Sequence, residues 1–495
     1  MTWVSDTGLA VVDLVPARLR AEWVRLGHCP DRDLGALLRE RVAEHPGRVA
    51  VVDESGELDY AGLDRRVRAL AGSLQERGIG PRSVVGVRLP NGIGAVVAEL
   101  AVSAVGAVVL PLAGSDAEIA ALAARARAAL VLTGGLPGGG GFRPVEVDPE
   151  APARVLVSSG SEGEPKLVAY SHNAFAGGRA NYLRAVHGGV PEGARDLVLV
   201  PLSSAFGSFG AAITLCRFGG TLVLRRRFDA REALEAIARH RPDHVFGVPT
   251  MLRRMADLAA SSSAAGHFSS VRAFVSSGDA LPPSVLARCR EVFGADVVSV
   301  YGSSDGVNCH TRTPEHGVGR PDPAVTDVRV VDGEIRALGP MTPLSYVGAP
   351  ELDARYRTGG GWVRTGDLGR FDADGVLHVV GRGKRVVLRG GYTISPAEVE
   401  RELGAHPALG DVVCVPVPDE DLGQRLCACV TARPGAPVPG LGELTRYLVA
   451  ERGVSVRKLP EFLLVLDELP VARTGKVCLR TLAAVAGRHH ERERA

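Results

Sequence analysis

Two lysines, Lys166 and Lys476, end loops of small residues in widely separated parts of the chain. Residues 157–166 read V-S-S-G-S-E-G-E-P-K and follow an apolar run, so we expect this loop at the end of a strand. Its backbone N–H groups and hydroxyls can approach phosphate oxygens closely, and the lysine adds a positive charge. It is not a Walker A loop, because GxxxxGK[ST] occurs nowhere in the chain. The candidate phosphate-binding residues are Ser158, Ser159, Gly160, Ser161, Glu162, Gly163 and Lys166.

Two carboxylates lie in further short polar segments. Residues 300–305 read V-Y-G-S-S-D and end at Asp305, whose hard oxygen atoms suit Mg²⁺. Residues 364–368 read R-T-G-D-L and contain Asp367, and a carboxylate can accept hydrogen bonds from both hydroxyls of a ribose. Each segment alone is also typical of an ordinary turn, so the interpretation depends on their combination.

Together these segments resemble the signature of the adenylate-forming superfamily, which comprises acyl-CoA synthetases, aryl-acid ligases, luciferases and adenylation domains. The segments 276–280 (S-S-G-D-A), 381–384 (G-R-G-K) and 470–476 (P-V-A-R-T-G-K) also match it. The resemblance extends from about Leu34 to Leu482. It implies an enzyme that uses ATP and Mg²⁺ to join an acid to AMP, with release of pyrophosphate.

The resemblance also implies a role for each matching residue. Lys476, Ser304 and Asp305 would be catalytic, with Asp305 as the metal ligand in the place of the family's glutamate. Lys476 would relieve the repulsion between the acid and the α-phosphate. Lys384 would be the hinge about which a small domain rotates. The implied adenine- and ribose-binding residues are Ser277, Gly278, Asp279, Ala280, Tyr301, Gly302, Asp367 and Arg382.

The acid pocket is expected at Ser203, Ser204, Phe206 and Phe209. Acyl-CoA synthetases commonly have an aromatic-His pair at Ser203-Ser204, and amino-acid adenylation domains have an Asp nearby. The segment 201–207 has neither His nor Asp, which disfavours an α-amino acid because its ammonium would be buried without a partner. We therefore expect a small aromatic or short-chain carboxylic acid of secondary metabolism. The two phenylalanines are equally compatible with a place in the core.

Three functions are compatible with these residues. The first is transfer of the activated acid to CoA or to the phosphopantetheine arm of a separate carrier protein. The second is activation of an unusual acid or oxyanion, such as nitrite in a diazotase-type reaction, or transfer to an amine; Glu162, in place of the family's usual threonine, Ser204 and Asp305 keep it open. The third is a non-catalytic or hydrolytic protein on a similar sheet, against which the presence of both Lys166 and Lys476 argues. The hydrolase would be an α/β-hydrolase, since residues 302–306 match G-x-S-x-G with Ser304 as nucleophile, but that fold needs a helix directly afterwards. Residues 307–314 do not favour one, because they include Asn308 and Pro314.

The elements that must position these residues alternate between helix and strand patterns. Helical spacing at 34–42 and 60–78 and apolar runs at 84–89, 107–110, 197–200, 221–224, 244–246, 273–275 and 297–300 predict an α/β fold. We expect a large N-terminal domain (1–381) of stacked, mostly parallel sheets, with antiparallel strands of a barrel-like subdomain from Gly317 onwards. A small, mobile α+β domain (382–495) should follow. Its first helix should begin with Ser395 as N-cap and Glu398 at the third position.

The bulk composition excludes several other classes of protein. Lys and Arg number 58 against 56 Asp and Glu, so nothing favours binding to nucleic acid or to an anionic membrane. None of the eight cysteines forms a CxxC pair, which argues against a zinc site or a disulfide framework. The most apolar stretch, 95–114, contains Glu99 and Pro111 and predicts a buried helix leading into a strand. No signal-peptide pattern opens the chain, so we expect a cytoplasmic enzyme; its oligomeric state is left open.

Overall fold

The computed structural model describes residues 2–135, 141–158, 165–189, 191–261, 268–382, 387–389, 392–419, 422–472 and 476–494. At positions 382, 388, 392, 393 and 491–494 it describes the backbone only. Among all these residues, no helix combines the length and the apolar character that crossing a bilayer requires.

Strands and helices alternate along the first 300 residues. The strands are β1 (Thr2–Val4), β2 (Ala10–Val12), β3 (Val49–Asp53), β4 (Gly56–Asp59), β5 (Val84–Val87), β6 (Val108–Pro111), β7 (Leu130–Leu132), β8 (Pro152–Val157), β9 (Leu167–Ser171), β10 (Arg195–Val198), β11 (Thr221–Leu224), β12 (His244–Gly247), β13 (Ala273–Ser277), β14 (Asp296–Gly302), β15 (Asn308–Thr311), β16 (Asp327–Val331), β17 (Glu334–Leu338), β18 (Val363–Phe371), β19 (Leu377–Arg382), β20 (Val387–Arg389), β21 (Tyr392–Ile394), β22 (Leu409–Asp419), β23 (Gly423–Ala432) and β24 (Phe462–Leu466). The α-helices are α1 (Ala17–Arg25), α2 (Leu34–Glu44), α3 (Tyr60–Glu76), α4 (Ile93–Ala104), α5 (Asp116–Arg125), α6 (His172–Ala174), α7 (Ala180–Val186), α8 (Ala230–His240), α9 (Pro249–Ala260), α10 (Pro283–Phe293), α11 (Pro350–Tyr356), α12 (Pro396–Leu403), α13 (Leu441–Ala450) and α14 (Leu479–Arg494). The predicted helices and strands of this region are confirmed, with ends that differ by a few residues.

The larger sheet has eight strands in the order β15-β14-β13-β12-β10-β11-β3-β4. Its six central strands run parallel, and the edge strands β15 and β4 are antiparallel to their neighbours. Strands β10, β11 and β12 are almost entirely buried, which explains their continuous apolar runs. Because the strands are parallel, the segments that follow β10, β12, β13 and β14 all emerge at one edge of the sheet.

A second sheet, in the order β7-β5-β6-β8-β9, is parallel except for β9. Helix α4 contacts β3 of the first sheet and β5 and β6 of the second, and the largest core cluster includes residues of both sheets. The prediction of a buried helix leading into a strand is therefore confirmed by α4 and β6. Glu99 of α4 is buried because Arg154 of β8 donates two hydrogen bonds to it, at 2.7 and 3.1 Å.

The antiparallel region expected after Gly317 is confirmed as a four-stranded sheet in the order β16-β17-β18-β19. Its pairings form an open series, and among the described residues none joins β16 to β19. Strand β18 matters for the site because it carries Asp367.

The smaller C-terminal domain has α+β structure. Strands β21-β20-β23-β22 pair antiparallel, β24 lies parallel to β23, and helices α12, α13 and α14 pack on this sheet. Ser395 is the N-cap of α12, as predicted, but its side chain makes no capping hydrogen bond to the described part of this helix. Its hydroxyl instead donates to the Val380 carbonyl at 2.9 Å. Glu398 instead accepts two hydrogen bonds from Lys458, at 2.7 and 2.8 Å.

Candidate active site

The predicted nucleotide-binding residues meet at one edge of the large sheet. Ser277 ends β13, and the parallel register pairs it with Val300 of β14, two residues before Gly302. Segments 278–280 and 303–305 therefore leave the sheet side by side. The Ser277 hydroxyl donates to the Val300 carbonyl at 2.9 Å, and the exposed Asp279 accepts from the backbone N–H of Ala280 at 2.8 Å.

Tyr301 and Asp367 form the centre of this arrangement. The Tyr301 hydroxyl donates to Asp367 Oδ2 at 2.7 Å, although the residues lie on strands of different sheets. Burial and the adjacent carboxylate raise the pKa of Tyr301 well above its usual value, so the phenol remains a neutral donor. On β19 the backbone of Arg382 pairs directly with Asp367. The side-chain hydrogen bond and the register of β18 with β19 thus bring together three residues predicted to bind adenine and ribose.

Asp305 and Lys166 approach each other beside two tyrosines that the sequence did not single out. The Tyr346 hydroxyl donates to Asp305 Oδ1 at 2.7 Å, and Lys166 Nζ lies 3.9 Å from Asp305 Oδ2. The same ammonium is 3.8 Å from the ring centroid of Tyr356, in cation–π geometry. Burial and Asp305 raise the pKa of Tyr346 well above its usual value, so it holds the carboxylate as a neutral donor. No motif surrounds either tyrosine, and their aromatic character was the only available signal.

The chemistry of Asp305 fits Mg²⁺. Its carboxylate is almost buried, and Tyr346 fixes one of its oxygens by a hydrogen bond. The other oxygen faces the Lys166 ammonium at 3.9 Å, where phosphate is expected. Hard carboxylate oxygens are what Mg²⁺ prefers, and one or two carboxylates with phosphate oxygens commonly suffice.

The segment after Ser304 rules out the hydrolase interpretation. A nucleophile elbow requires a helix after the serine, whereas here the antiparallel strand β15 returns along β14. Ser304 is buried, and its carbonyl accepts a hydrogen bond from the Tyr170 hydroxyl at 2.7 Å. Ser304 therefore lies in a turn between two strands, and the alternative of a hydrolase is wrong.

The two ends of the predicted phosphate loop are paired. The Ser158 N–H donates to the Lys166 carbonyl, and the Lys166 N–H donates to Ser158 Oγ, both at 2.9 Å. Ser158 directly follows β8, so the segment begins at the end of a strand, as predicted. The other predicted residues of this loop and the predicted hinge lie outside the described residues: Ser159, Gly160, Ser161, Glu162, Gly163 and Lys384. The side chain of Arg382 also lies outside them.

Lys476 lies against the loop that follows β13. A Cβ placed on Gly278 would be 3.0 Å from Lys476 Cε and 3.6 Å from its Nζ, and Gly278 has a φ of +95°. Glycine suits this position, because it adopts the positive φ without strain and leaves space for the lysine side chain. An ion pair also joins the two parts of the chain, since Arg253 Nη2 of α9 lies 2.9 Å from Asp411 Oδ2 of β22. The C-terminal domain therefore presents its lysine to the edge that carries the predicted nucleotide-binding residues.

The predicted acid-pocket residues have different environments. Phe209 has no exposed surface and packs on Phe246 at a centroid distance of 4.6 Å, so its side chain belongs to the core. Phe206 is half-buried at the margin of this pair, 6.1 Å from each ring. Ser203 is half-buried, and the Ser204 hydroxyl donates to the Pro201 carbonyl at 2.7 Å and accepts from the Gly207 N–H at 3.0 Å. Acid binding by these residues stays a prediction.

Two further features, a cavity and a cluster of buried titratable side chains, include none of the predicted site residues. A cavity of about 670 Å³ opens between the loops after β3, β5 and β11, and none of the predicted site residues lines it.

At the amino ends of β10 and β12, opposite the edge that carries the predicted nucleotide-binding residues, the buried side chains of His187, Asp196 and His244 form a cluster. His187 Nε2 lies 2.9 Å from Asp196 Oδ1. Burial alone would lower the pKa of His187, but Asp196 reverses this and raises it, whereas burial and His187 lower the pKa of His244 to about 3. We interpret this cluster as a buried ion pair beside a neutral histidine.

Comparisons with known proteins agree with this geometry. The model of the AMP-binding enzyme family matches residues 38–140 and 123–343, and that of the AMP-binding enzyme C-terminal domain matches residues 398–476. Triostin synthetase I of Streptomyces triostinicus is 33% identical, over 95% of this chain and 98% of the relative. The salicyl-AMP ligase / salicyl-S-ArCP synthetase of Mycobacterium tuberculosis is 29% identical, over 97% and 96%. The structure of the amide bond synthetase McbA from Marinactinospora thermotolerans superposes with a TM-score of 0.80 at 30% identity, covering 91% of this chain and 99% of that one.

Proposed function

Because this chain belongs to the AMP-binding enzyme family and is an AMP-forming ligase of the adenylate-forming superfamily, we propose that it activates a small aromatic carboxylic acid of secondary metabolism and passes the acyl group to a thiol. The thiol would be that of CoA or of phosphopantetheine on a separate carrier protein, in the cytoplasm. The observation that carries the proposal is the approach of Lys476 to Gly278, beside the Tyr301–Asp367 pair. The mycobacterial relative is named a salicyl-AMP ligase / salicyl-S-ArCP synthetase. That name supports both the aromatic acid class and the thiol acceptor proposed for this chain.

In the first half-reaction, this chain's residues hold ATP and the acid in line for attack. Asp367 would accept hydrogen bonds from the ribose hydroxyls, and its bond from Tyr301 keeps its carboxylate oriented. Lys476 would lie between the acid carboxylate and the α-phosphate, where its charge offsets the negative charge that develops on phosphorus. Asp305 and the triphosphate would hold Mg²⁺, which supplies charge neutralisation at the phosphates when it is bound.

In the second half-reaction the acceptor thiol must reach the carbonyl carbon of the adenylate. Lys476 occupies a position beside Gly278 that has to be vacated for this approach, so we propose that the C-terminal domain rotates about Lys384 after pyrophosphate leaves. The boundary at residue 382 fits this proposal, because β19 of one sheet ends there and β20 of the next begins at Val387.

An amine is the second candidate acceptor. The similarity to an amide bond synthetase, at a TM-score of 0.80, favours this alternative specifically. The adenylating residues would be the same, because only the nucleophile of the second half-reaction differs.

The test is pyrophosphate release from ATP and Mg²⁺ with aromatic acids, short aliphatic acids, amino acids and nitrite, each with and without CoA or an amine. We expect release that depends on an aromatic acid, and a thioester when CoA or a carrier protein is present. Formation of an amide without any thioester would favour the amine alternative. Release only with nitrite or with amino acids would refute the proposed acid class.

A further inference from the structure

Arg179 is a buried cation that has no carboxylate partner among the described residues. Three arginines of that part of the chain are buried: Arg20, Arg154 and Arg179. The first lies 3.0 Å from Asp13 and the second 2.7 Å from Glu99, as nitrogen–oxygen distances. Arg179 is 4% exposed and forms no such ion pair with a described residue. Buried charges in proteins are normally paired, because an ion is costly to remove from water, so the charge of Arg179 calls for a partner.

The backbone of Arg179 belongs to a tightly packed π-helical segment, Phe175–Arg179. A Cβ placed on Gly178 would be only 2.0 Å from the backbone nitrogen of Met341, so a larger residue would push the segment away. π-Helical turns are rare and occur frequently at functional sites. The close packing of Gly178 therefore fixes where the Arg179 side chain leaves the backbone.

The guanidinium of Arg179 lies between the loop of the predicted acid pocket and the turn that joins β14 to β15. Its Nη2 donates to the Ala205 carbonyl at 2.6 Å and to Ser208 Oγ at 3.1 Å. Ala205 lies between two of the predicted acid-pocket residues. On the other side, the Arg179 Cζ is 5.6 Å from the ring centroid of Tyr170, whose hydroxyl donates to the Ser304 carbonyl in that turn.

The guanidinium retains a donor for a further acceptor. The two contacts of Nη2 engage both of its protons, but Nε is buried and has no hydrogen-bond partner among the described residues. An arginine presents its N–H groups as a planar fork that matches the two oxygens of a carboxylate, and its charge is permanent. A carboxylate of the acid substrate would supply both the acceptor and the opposite charge.

The reacting carboxylate of the substrate is a poor match for this cation. It loses its charge when it is joined to AMP, so a fixed cation beside it would stabilise the free acid more than the adenylate. The cation proposed for that end of the substrate is Lys476, beside Gly278. A carboxylate that takes no part in the reaction keeps its charge throughout, as the guanidinium does.

We propose that Arg179 binds a second carboxylate of the acid substrate, one that does not react. This inference rests on the proposed function and narrows the acid class to aromatic dicarboxylic acids. The half-buried ring of Phe206, next to Ala205 in the chain, would contact the aromatic ring of such an acid.

The experiment compares benzene dicarboxylic acids with their monoamides, in which a neutral amide of nearly the same shape replaces one carboxylate. The ortho, meta and para pairs, and benzoic acid, are assayed for kcat/KM of pyrophosphate release from ATP and Mg²⁺. The wild-type enzyme should favour the dicarboxylic acid over its monoamide at one ring position by roughly 10- to 150-fold, the range that corresponds to a hydrogen bond with a charged group.

Two variants of Arg179 and one control separate recognition of the charge from support of the loop. Arg179→Gln should abolish the preference, whereas Arg179→Lys, which keeps the charge but not the planar fork, should retain part of it. The control is Arg217→Gln, because the Arg217 Nε also donates to a backbone carbonyl of the π-helical segment, that of Ala176, at 3.1 Å. It should leave the preference unchanged. Thermal melting monitors folding, and Arg179→Met replaces Arg179→Gln if the latter does not fold.

The two levels of the proposal fail in different ways. Release with aromatic acids but without a preference for any dicarboxylic acid would overturn the role of Arg179 alone. So would a preference that survives Arg179→Gln or its replacement, or an equal loss for both members of each pair, which would show that the arginine only supports the loop. No release with any aromatic acid would overturn the proposed function and this inference together.

Discussion

Breaking the ion pair between Arg253 and Asp411 is expected to slow adenylation without touching any residue of the predicted active site. Arg253 belongs to α9 of the large domain, and Asp411 to β22 of the small domain. Their nitrogen–oxygen distance is 2.9 Å, and their side chains are 30% and 22% exposed. Because the small domain also carries Lys476, this contact favours the arrangement in which the lysine lies beside Gly278, at the edge that carries the predicted nucleotide-binding residues.

The size of the effect follows from the partial exposure of the pair. Two unit charges 4 Å apart interact by about 1 kcal/mol in water and about 4 kcal/mol at an effective dielectric constant near 20. Exposed pairs in proteins contribute about 0.2–1 kcal/mol after the loss of side-chain entropy. A partly exposed pair should therefore contribute about 0.5–2 kcal/mol, which shifts the docking equilibrium about 2- to 30-fold.

The assay is acid-dependent exchange of pyrophosphate with ATP, measured as kcat/KM for Arg253→Ala, Asp411→Ala, the double variant and the exchanged pair Arg253→Asp/Asp411→Arg. We expect each single variant to slow exchange, the double variant to be no slower than either, and the exchanged pair to recover part of the rate. High salt should reduce the difference between wild type and variants. Arg254→Ala is the matched control, because Arg254 is an exposed neighbour on α9 and its substitution removes the same charge.

Two results would refute this reasoning. Single variants with wild-type exchange rates would show that other contacts hold the domains together. Additive losses in the double variant, without recovery in the exchanged pair, would show that each residue acts independently of the other.

The remaining predictions concern single residues. Lys476→Ala should lower the rate of adenylation by roughly 10²–10³-fold while ATP still binds, because its charge acts in the transition state; equilibrium ATP binding and pyrophosphate release measure the two effects, and normal release would contradict the role. Asp367→Ala should instead weaken ATP binding, which calorimetric titration measures, and an unchanged affinity would exclude a contact with ribose. Burial lowers the pKa of His172 from its ordinary 6.5 to about 4, so the folded state resists protonation and loses stability as the pH falls through this window. In His172→Asn, the amide oxygen can still accept from the Leu34 N–H, so the free energy of unfolding should fall by about 2 kcal/mol less between pH 7 and pH 5 than in the wild type. Urea unfolding at both pH values measures this fall, and an equal fall in variant and wild type would contradict the assignment.

Local patterns in the sequence predicted most of the fold. The alternation of apolar runs and helical spacing predicted the parallel sheets and α4 with β6, because the spacing of apolar residues reflects which faces of each helix or strand are buried. The change at Gly317 likewise predicted the antiparallel strands. The sequence correctly placed Ser395 as an N-cap but could not show that its hydroxyl bonds to the Val380 carbonyl instead of capping the helix, because no local pattern reveals that neighbour.

The predicted site residues were found as short motifs, and their convergence depended on tertiary structure. Tyr301 and Asp367 are 66 positions apart, and only the arrangement of two sheets brings the hydroxyl within 2.7 Å of the carboxylate. Tyr346, which holds Asp305, belongs to no motif and could not be found from the sequence. A serine such as Ser204 equally suits a pocket or a turn, and its two turn hydrogen bonds are visible only once the loop has folded.

By itself, the sequence predicted the class of chemistry, because small-residue loops, carboxylates and lysines suit phosphate and ribose in any packing that brings them together. The tertiary structure decided which face each side chain occupies. Asn308 and Cys309 are adjacent in the chain, yet their side chains lie on opposite faces of the sheet, and Cys309 packs into a core. That difference follows from strand register, a long-range property that the hydrogen bonds between β14 and β15 establish.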